Sequence, residues 1–278
     1  MAGLCWMAVT LGLMLSVGNS SADFTTLPRK GLNEIVNQLW NTYRPSYKNS
    51  PSGSIPPMFS VAVNIPFTDK KEDVYGFSQV IKDDPPETVR DWMESCKVYK
   101  GQRVVAATLL KWPNVLRLCP NEPVQWSIVK KNCKKQEMTW AAMETECPGV
   151  VCITDHAEYR VLKNFATLTK NRKDNDVLLF FVRDSPCGTK CADKDHPENI
   201  LGEIAKWNNK WKNYAFVFSY VFKLEGQPLP DKELIEALKN LGSVIGLENI
   251  YRCNGDRCSR CFSEKAADNV TKFCYSDG

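Results

Sequence analysis

The sequence predicts an α/β fold: a five-stranded sheet flanked by helices, with cysteine-stapled insertions and a cysteine-rich C-terminal tail. Three observations predict it. Apolar runs of strand length recur five times, at 58–67, 104–112, 177–182, 214–223 and 247–253. Between the last three lie stretches in which apolar residues return at helical spacing. Strand–helix–strand alternation implies parallel pairing, with helices covering both faces. Finally, nine cysteines fall mostly in the connections and the tail, where a chain with little local core needs covalent help.

In chain order, residues 1–22 read as a signal peptide. The apolar stretch from Leu4 to Val17 is too short for a comfortable membrane span, and Ser20-Ser21-Ala22 supplies small residues for cleavage. No Lys or Arg precedes the stretch, which leaves a signal anchor as the alternative. No later run is apolar enough to span, so the mature chain is expected to be secreted, with no membrane partner and one main domain over 23–253. Net charge is +4, which permits attraction to phosphate without demanding it. Lysines cluster at 130–131, 134–135 and 170–173, either as a solvated face or as a track for a nucleic-acid backbone.

Leu32, Ile35, Val36 and Leu39 predict an amphipathic first helix ending near Tyr43. A Pro-, Ser- and Gly-rich loop follows to Pro57, then the alternating strand Phe59, Val61, Val63, Ile65. A polar connection, with a short helix around Val89 to Cys96, leads to the second strand. Residues 113–154 read as an insertion carrying Cys119, Cys133, Cys147, Cys152, Trp126 and Trp140. It is either a disulfide-pinned loop over the sheet edge or one wall of a cleft. Helices are predicted over 156–170, with Val161, Leu162, Phe165 and Leu168 inward, over 198–212, and around Leu234 to Leu241.

The stretch from Asp155 to Cys191 carries the chemistry. His156, Cys187 and Cys191 form a three-ligand zinc set, and three protein ligands leave a fourth position open, as at catalytic zinc sites. Cys187 and Cys191 are four apart, about one helical turn, behind Pro186, which suits the start of a helix. Asp155 is a candidate cap for the helix that His156 begins. Glu158, two residues past the His, can carry a proton for a water at the open position. The order His-x-Glu, helix, strand, Pro-Cys, helix matches the zinc-deaminase signature, with one extra residue between the cysteines. His-Ala-Glu alone is a common tripeptide, and two nearby cysteines in a secreted chain are often disulfide halves; the joint order carries the reading. The other histidine, His196, stands in a polar loop, as a solvated residue or a contact to a ligand phosphate.

The segment resembles the cytidine-deaminase superfamily, and its AID/APOBEC branch most, through Ser185-Pro186-Cys187. Arg183-Asp184 stand where that branch carries Trp. With a signal peptide attached, the chain is similar to the secreted novel AID/APOBEC-like deaminases of fish. The resemblance implies a cytidine-deaminase-like three-layer fold with a mixed sheet, opened by an antiparallel pair of strands. It implies zinc as cofactor, Glu158 as proton shuttle and attack at C4 of a cytosine, with Ala157 N–H on the base carbonyl and the Ser185 carbonyl on the exocyclic amine. The implied partner is single-stranded DNA or RNA; adenine and free nucleosides are alternative substrates, and an inactive zinc-stabilised binding protein is an alternative function.

Cysteine arithmetic completes the reading. Cys5 leaves with the signal and two cysteines go to zinc. Cys96, Cys119, Cys133, Cys147, Cys152, Cys253, Cys258, Cys261 and Cys274 remain as disulfide candidates, an odd number that leaves one unpaired. The four in the 254–278 region and just before it also have the look of a zinc knuckle. Asn269-Val270-Thr271 is a glycosylation sequon.

Overall fold

The structure, a computed structural model, describes residues 29–46, 57–67, 76–124, 126–134, 137–147, 154–224, 226–266 and 268–277. The signal segment and Cys152 lie outside the described residues. Helix α1 (Arg29–Tyr43) buries the stripe Leu32, Ile35, Val36 and Leu39. Strand β1 (Phe59–Ile65) leads to two helices, α2 (Phe77–Asp83) and α3 (Pro86–Glu94). Strands β2 (Tyr99–Lys100) and β3 (Val104–Thr108) follow. The run predicted to continue to Trp112 breaks at Leu109. Its remainder, β4 (Leu110–Lys111), leaves the main sheet to pair with β5 (Thr154–Asp155). Between β4 and β5 the insertion forms α4 (Asn114–Leu118), α5 (Ser127–Asn132) and α6 (Trp140–Glu146).

The second half alternates as its pattern predicts, with shorter helices. The single helix predicted over 156–170 is two, α7 (Ala157–Lys163) and α8 (Ala166–Asn171), parted where the Asn164 side chain turns back to the Arg160 carbonyl. Then come β6 (Val177–Asp184), α9 (Leu201–Ala205), β7 (Asn213–Tyr220) and the small β8 (Lys223–Leu224) and β9 (Gln227–Pro228) pair. Helix α9 fills only part of the predicted 198–212: it ends at Ala205, and a turn leads into a 3-10 segment at Asn208–Lys210. Helix α10 (Asp231–Ile245), strands β10 (Ile250–Asn254) and β11 (Arg257–Arg260), and α11 (Lys272–Tyr275) finish the chain.

The main sheet runs β11-β10-β7-β6-β1-β3-β2. The five strands read from the sequence are its middle, and two short edge strands widen it to seven. β6, β7 and β10 are parallel, while β1 pairs antiparallel with both β3 and β6, so the sheet is mixed. Side-chain alternation sorts the two faces. Phe59, Val61, Val63, Leu179, Phe181 and Val217 meet the α1–α3 side. Ala62, Leu178, Phe180, Phe216 and Phe218 meet α7 to α10. Three layers result. The cysteine-rich stretch after residue 253 is no appendage, since β11 hydrogen-bonds to β10 as the sheet edge.

The insertion has a small core of its own, with Trp140, Met143, Val124 and Val129 fully buried or nearly so. Cys96–Cys119 ties it to the end of α3, and Cys133–Cys147 closes its far side. Cys253–Cys258 and Cys261–Cys274 are disulfides, which excludes the knuckle alternative for those four residues.

Candidate active site

Two elements deliver the site. Strand β6 ends at Asp184 beside β7, and the carboxyl ends of adjacent parallel strands are where α/β folds open a crevice. The chain leaving β6 is fixed at once: Ser185 N–H donates to the Tyr220 carbonyl at 2.8 Å, and its hydroxyl accepts the Phe222 N–H at 3.0 Å. Arg183 and Asp184 form a two-pronged pair, at 2.8 and 2.6 Å. From the other side, β5 leads into α7, which packs on β1 and β3.

His156, not Asp155, holds the cap position of α7. Asp155 sits in β5, and its carboxylate faces the Arg160 guanidinium at 3.6 Å. Arg160 is buried and donates to the carbonyls of Thr108 at 2.5 Å and Cys96 at 2.7 Å. It therefore pins α7 to the end of β3 and to the disulfide that anchors the insertion.

Cys187 and Cys191 do not lie on a regular helix. The segment is a run of turns in which Ala192 N–H donates to the Cys187 carbonyl at 2.9 Å, a wider loop than an α-turn. Its effect is nevertheless to bring the sulfurs to one side, and Cys191 N–H donates to Cys187 Sγ at 3.3 Å. His156 Nδ1 lies 3.0 Å from Cys191 Sγ and 3.7 Å from Cys187 Sγ. All three donor atoms fall within 4.8 Å of one another. Both cysteines are buried and unbridged, whereas the other eight described cysteines are all in disulfides.

The electrostatics follow from this crowding. The hydrogen bond from Cys191 brings the Cys187 thiol down to about 4 against the opposing effect of burial, with His156 helping. Cys191 is pushed up by the same bond and by burial. Burial opposes charge on His156, but Cys187 and Glu158 together raise it.

Glu158 is completely buried, and neither carboxylate oxygen has a hydrogen-bond partner. Burial pushes it up to about 7, with His156 pulling the other way. A buried carboxylate left unbonded is costly, and such groups collect at sites of chemistry. The donor set suits zinc: one imidazole nitrogen and two sulfurs, one of them a ready thiolate. The 3.7 Å edge to Cys187 is close to the roughly 3.6 Å that tetrahedral Zn–N and Zn–S bonds would span, and the 3.0 Å edge to Cys191 would open by about 0.6 Å to match it.

Ala157 is fully buried as the first residue of α7, where a backbone N–H has no partner within the helix. His196 closes a local turn, its Nδ1 accepting the Glu198 N–H at 3.0 Å, and is not among the clustered donors. Asn269 is exposed.

Sequence reasoning missed a brace. Lys190, inside the Cys187–Cys191 spacer, turns inward to donate to the Thr154 carbonyl at 2.7 Å and to pair with the buried Glu198 carboxylate. Glu198 also accepts the Trp126 indole N–H at 3.1 Å, and Lys190 lies 5.6 Å from that ring. The only signal in the sequence was a lysine held between two ligand candidates.

No curated protein and no solved structure matches the chain. A family model does: that of Secreted Novel AID/APOBEC-like Deaminase 1, over residues 123–277. The match takes in the insertion from just before Trp126, the His156 and Glu158 helix, the Cys187 and Cys191 turn and the tail disulfides. It covers more than half of the chain, and with a three-layer mixed α/β fold around a His/Cys/Cys cluster it leaves one conclusion: the chain belongs to the Secreted Novel AID/APOBEC-like Deaminase 1 family.

Proposed function

We propose that the protein is an extracellular zinc-dependent deaminase that converts cytosine to uracil in single-stranded DNA or RNA. The observation that carries the reading is Glu158: a wholly buried carboxylate with both oxygens unbonded, two residues from His156, whose Nδ1 meets Cys187 and Cys191. A purely structural metal site has no use for such a group.

In this reading His156, Cys187 and Cys191 would hold a zinc ion, which when bound would supply Lewis-acid activation of water near neutral pH. Glu158 takes a proton from the attacking water. It delivers that proton to ring N3, then takes the remaining proton of the hydroxyl added at C4 and passes it to the exocyclic amine, so that the C4 carbonyl forms and ammonia leaves. Burial holds its proton affinity near neutrality, where a group can both accept and return a proton. The Ala157 N–H is free to donate to the base carbonyl, and the Ser185 carbonyl, on a residue fixed by Tyr220 and Phe222, accepts from the amine. A secreted enzyme of this kind meets released or foreign nucleic acid, which places its role in immune defence.

The test is incubation of purified protein with single-stranded DNA, RNA and free cytidine, read by sequencing and ammonia release. Wild type should convert C to U in a polymer, and Glu158→Gln should abolish conversion while keeping one zinc per chain by elemental analysis. Turnover of adenine instead moves the substrate assignment. Absence of turnover on every substrate, with zinc bound, returns the protein to a binding role.

A further inference from the structure

A cavity of about 440 Å³ opens beside α7, and Trp126 and Lys130 of the insertion form part of its wall. Its charge is one-sided: Lys100, Lys130, Arg160 and Lys163 line it against the single carboxylate of Asp155, which Arg160 already faces at 3.6 Å. Lys163 reaches Glu203 at 3.5 Å, while Lys100 and Lys130 make no ion pair among the described residues. These lysines come from three separate elements, β2, α5 and α7, so their convergence is a product of the fold and not of a local charge run. Tyr159 and Trp126 supply aromatic walls. The volume is that of an ordinary small-ligand site, and cations beside aromatic faces are what single-stranded nucleic acid binds through.

Position adds to composition. Asp155 and Tyr159, both lining the cavity, are the immediate chain neighbours of His156 and Glu158. We propose that this cavity binds backbone phosphates of the polynucleotide whose base enters the site at Glu158. The proposal rests on the deaminase reading for the identity of the strand. It gives the insertion a role as one wall of the substrate cleft, through Trp126 and Lys130.

The experiment uses the full secreted protein and a fluorescent single-stranded oligodeoxynucleotide, with binding followed by anisotropy across a salt series. Lys100→Ala/Lys130→Ala should weaken binding about tenfold near 0.1 M salt and lower the slope of log affinity against log salt by about 1.4. Lys170→Ala/Lys173→Ala removes the same charge from exposed positions on and after α8 and should leave both values unchanged. Equal affinity in wild type and the pocket variant overturns the proposal, as does an equal loss in both variants or no binding by wild type. Heparin is the control for a sulfated glycan: a pocket variant that loses heparin retention but keeps the oligonucleotide also overturns it. Wild type that binds through the pocket without deaminating defeats the enzyme reading alone. Wild type that deaminates while the pocket variant binds normally defeats the pocket alone.

Discussion

Lys190 Nζ donates to the Thr154 carbonyl at 2.7 Å across 36 residues of sequence. One end of this bond lies in the turn that carries both cysteines; the other lies two residues before His156. The bond, together with the Glu198 carboxylate and the Trp126 indole behind it, therefore sets the separation between the two halves of the donor cluster.

The consequence is measurable. Lys190→Met leaves Glu198, which is 5% exposed, without its cation. Breaking a buried pair from one side costs about 3–5 kcal/mol, and loss of outer support at a metal site lowers affinity roughly 10- to 100-fold. The double variant Lys190→Met/Glu198→Gln should recover most of the stability in urea unfolding but not the zinc affinity in chelator competition. Recovery of both would reduce the brace to a matter of stability.

Glu158 predicts a pH dependence in the metal-free protein. Burial raises its carboxyl from the usual 4.5 to about 7, so folding disfavours the charged form. Its contribution is most favourable below about 4.5, is lost as pH rises towards 7, and stays lost above. The difference corresponds to about 3 kcal/mol. Chelator-stripped wild type should therefore fall behind Glu158→Gln by about that amount between pH 4 and pH 8, read as the difference between two sets of urea curves. Taking the difference cancels Asp155 and the cysteines, which titrate in both proteins. Parallel curves would mean that the carboxylate is solvated or bonded in solution.

Some of this architecture was legible in the sequence and some was not, for physical reasons. The five main strands announced themselves because residues such as Phe59, Val61 and Val63, or the whole run Val177 to Val182, bury large side chains whatever their neighbours. His156, Glu158, Cys187 and Cys191 were visible because they stand in the order of residue types that the zinc-deaminase signature requires. The turn at Cys187 was misread as helix because four-residue spacing fits both an α-turn and the wider loop closed by Ala192. The supports were invisible: Arg160 bonds to two backbone carbonyls 52 and 64 residues away, and a carbonyl has no sequence signature. Edge strands of two and four residues, β2 and β11, carry too little pattern to read.

The bond Cys96–Cys119 should matter beyond its own loop. It closes a separation of 23 residues, and restricting such a loop in the unfolded chain is worth about 3 kcal/mol. Cys96 also presents its carbonyl to Arg160 at 2.7 Å. Cys96→Ser/Cys119→Ser should lower stability by about that amount and, because Arg160 holds α7, should also weaken zinc retention. Cys133→Ser/Cys147→Ser, on the far side of the insertion, should lower stability without changing zinc retention. Equal zinc retention in both double variants would show that the Cys96 end does not reach the metal cluster.

The family is described as secreted, four disulfides close among the described cysteines, and no helix among the described residues is long and apolar enough to cross a membrane. Disulfides persist where the surroundings are oxidising, and the same route exposes Asn-x-Thr sequons to glycosylation. Asn269 is exposed and has a left-handed backbone, φ 57°, a conformation that Asn tolerates better than most residues and that suits a turn. The turn is held by its own carbonyl, which accepts the Ser263 N–H at 3.0 Å, so the side-chain amide is not needed for folding. Cys261–Cys274 and the Thr271 N–H, which donates to the Cys261 carbonyl at 2.8 Å, fix the base of the same loop. Expression in cultured secretory cells should yield protein in the medium with a glycan at Asn269, removed by glycosidase and absent from Asn269→Gln, which should be secreted with unchanged disulfides. Mass mapping should find Cys187 and Cys191 unbridged and the four disulfides of the described cysteines intact. Protein retained in the cytosol with free thiols throughout would overturn the compartment and, with it, the extracellular substrate.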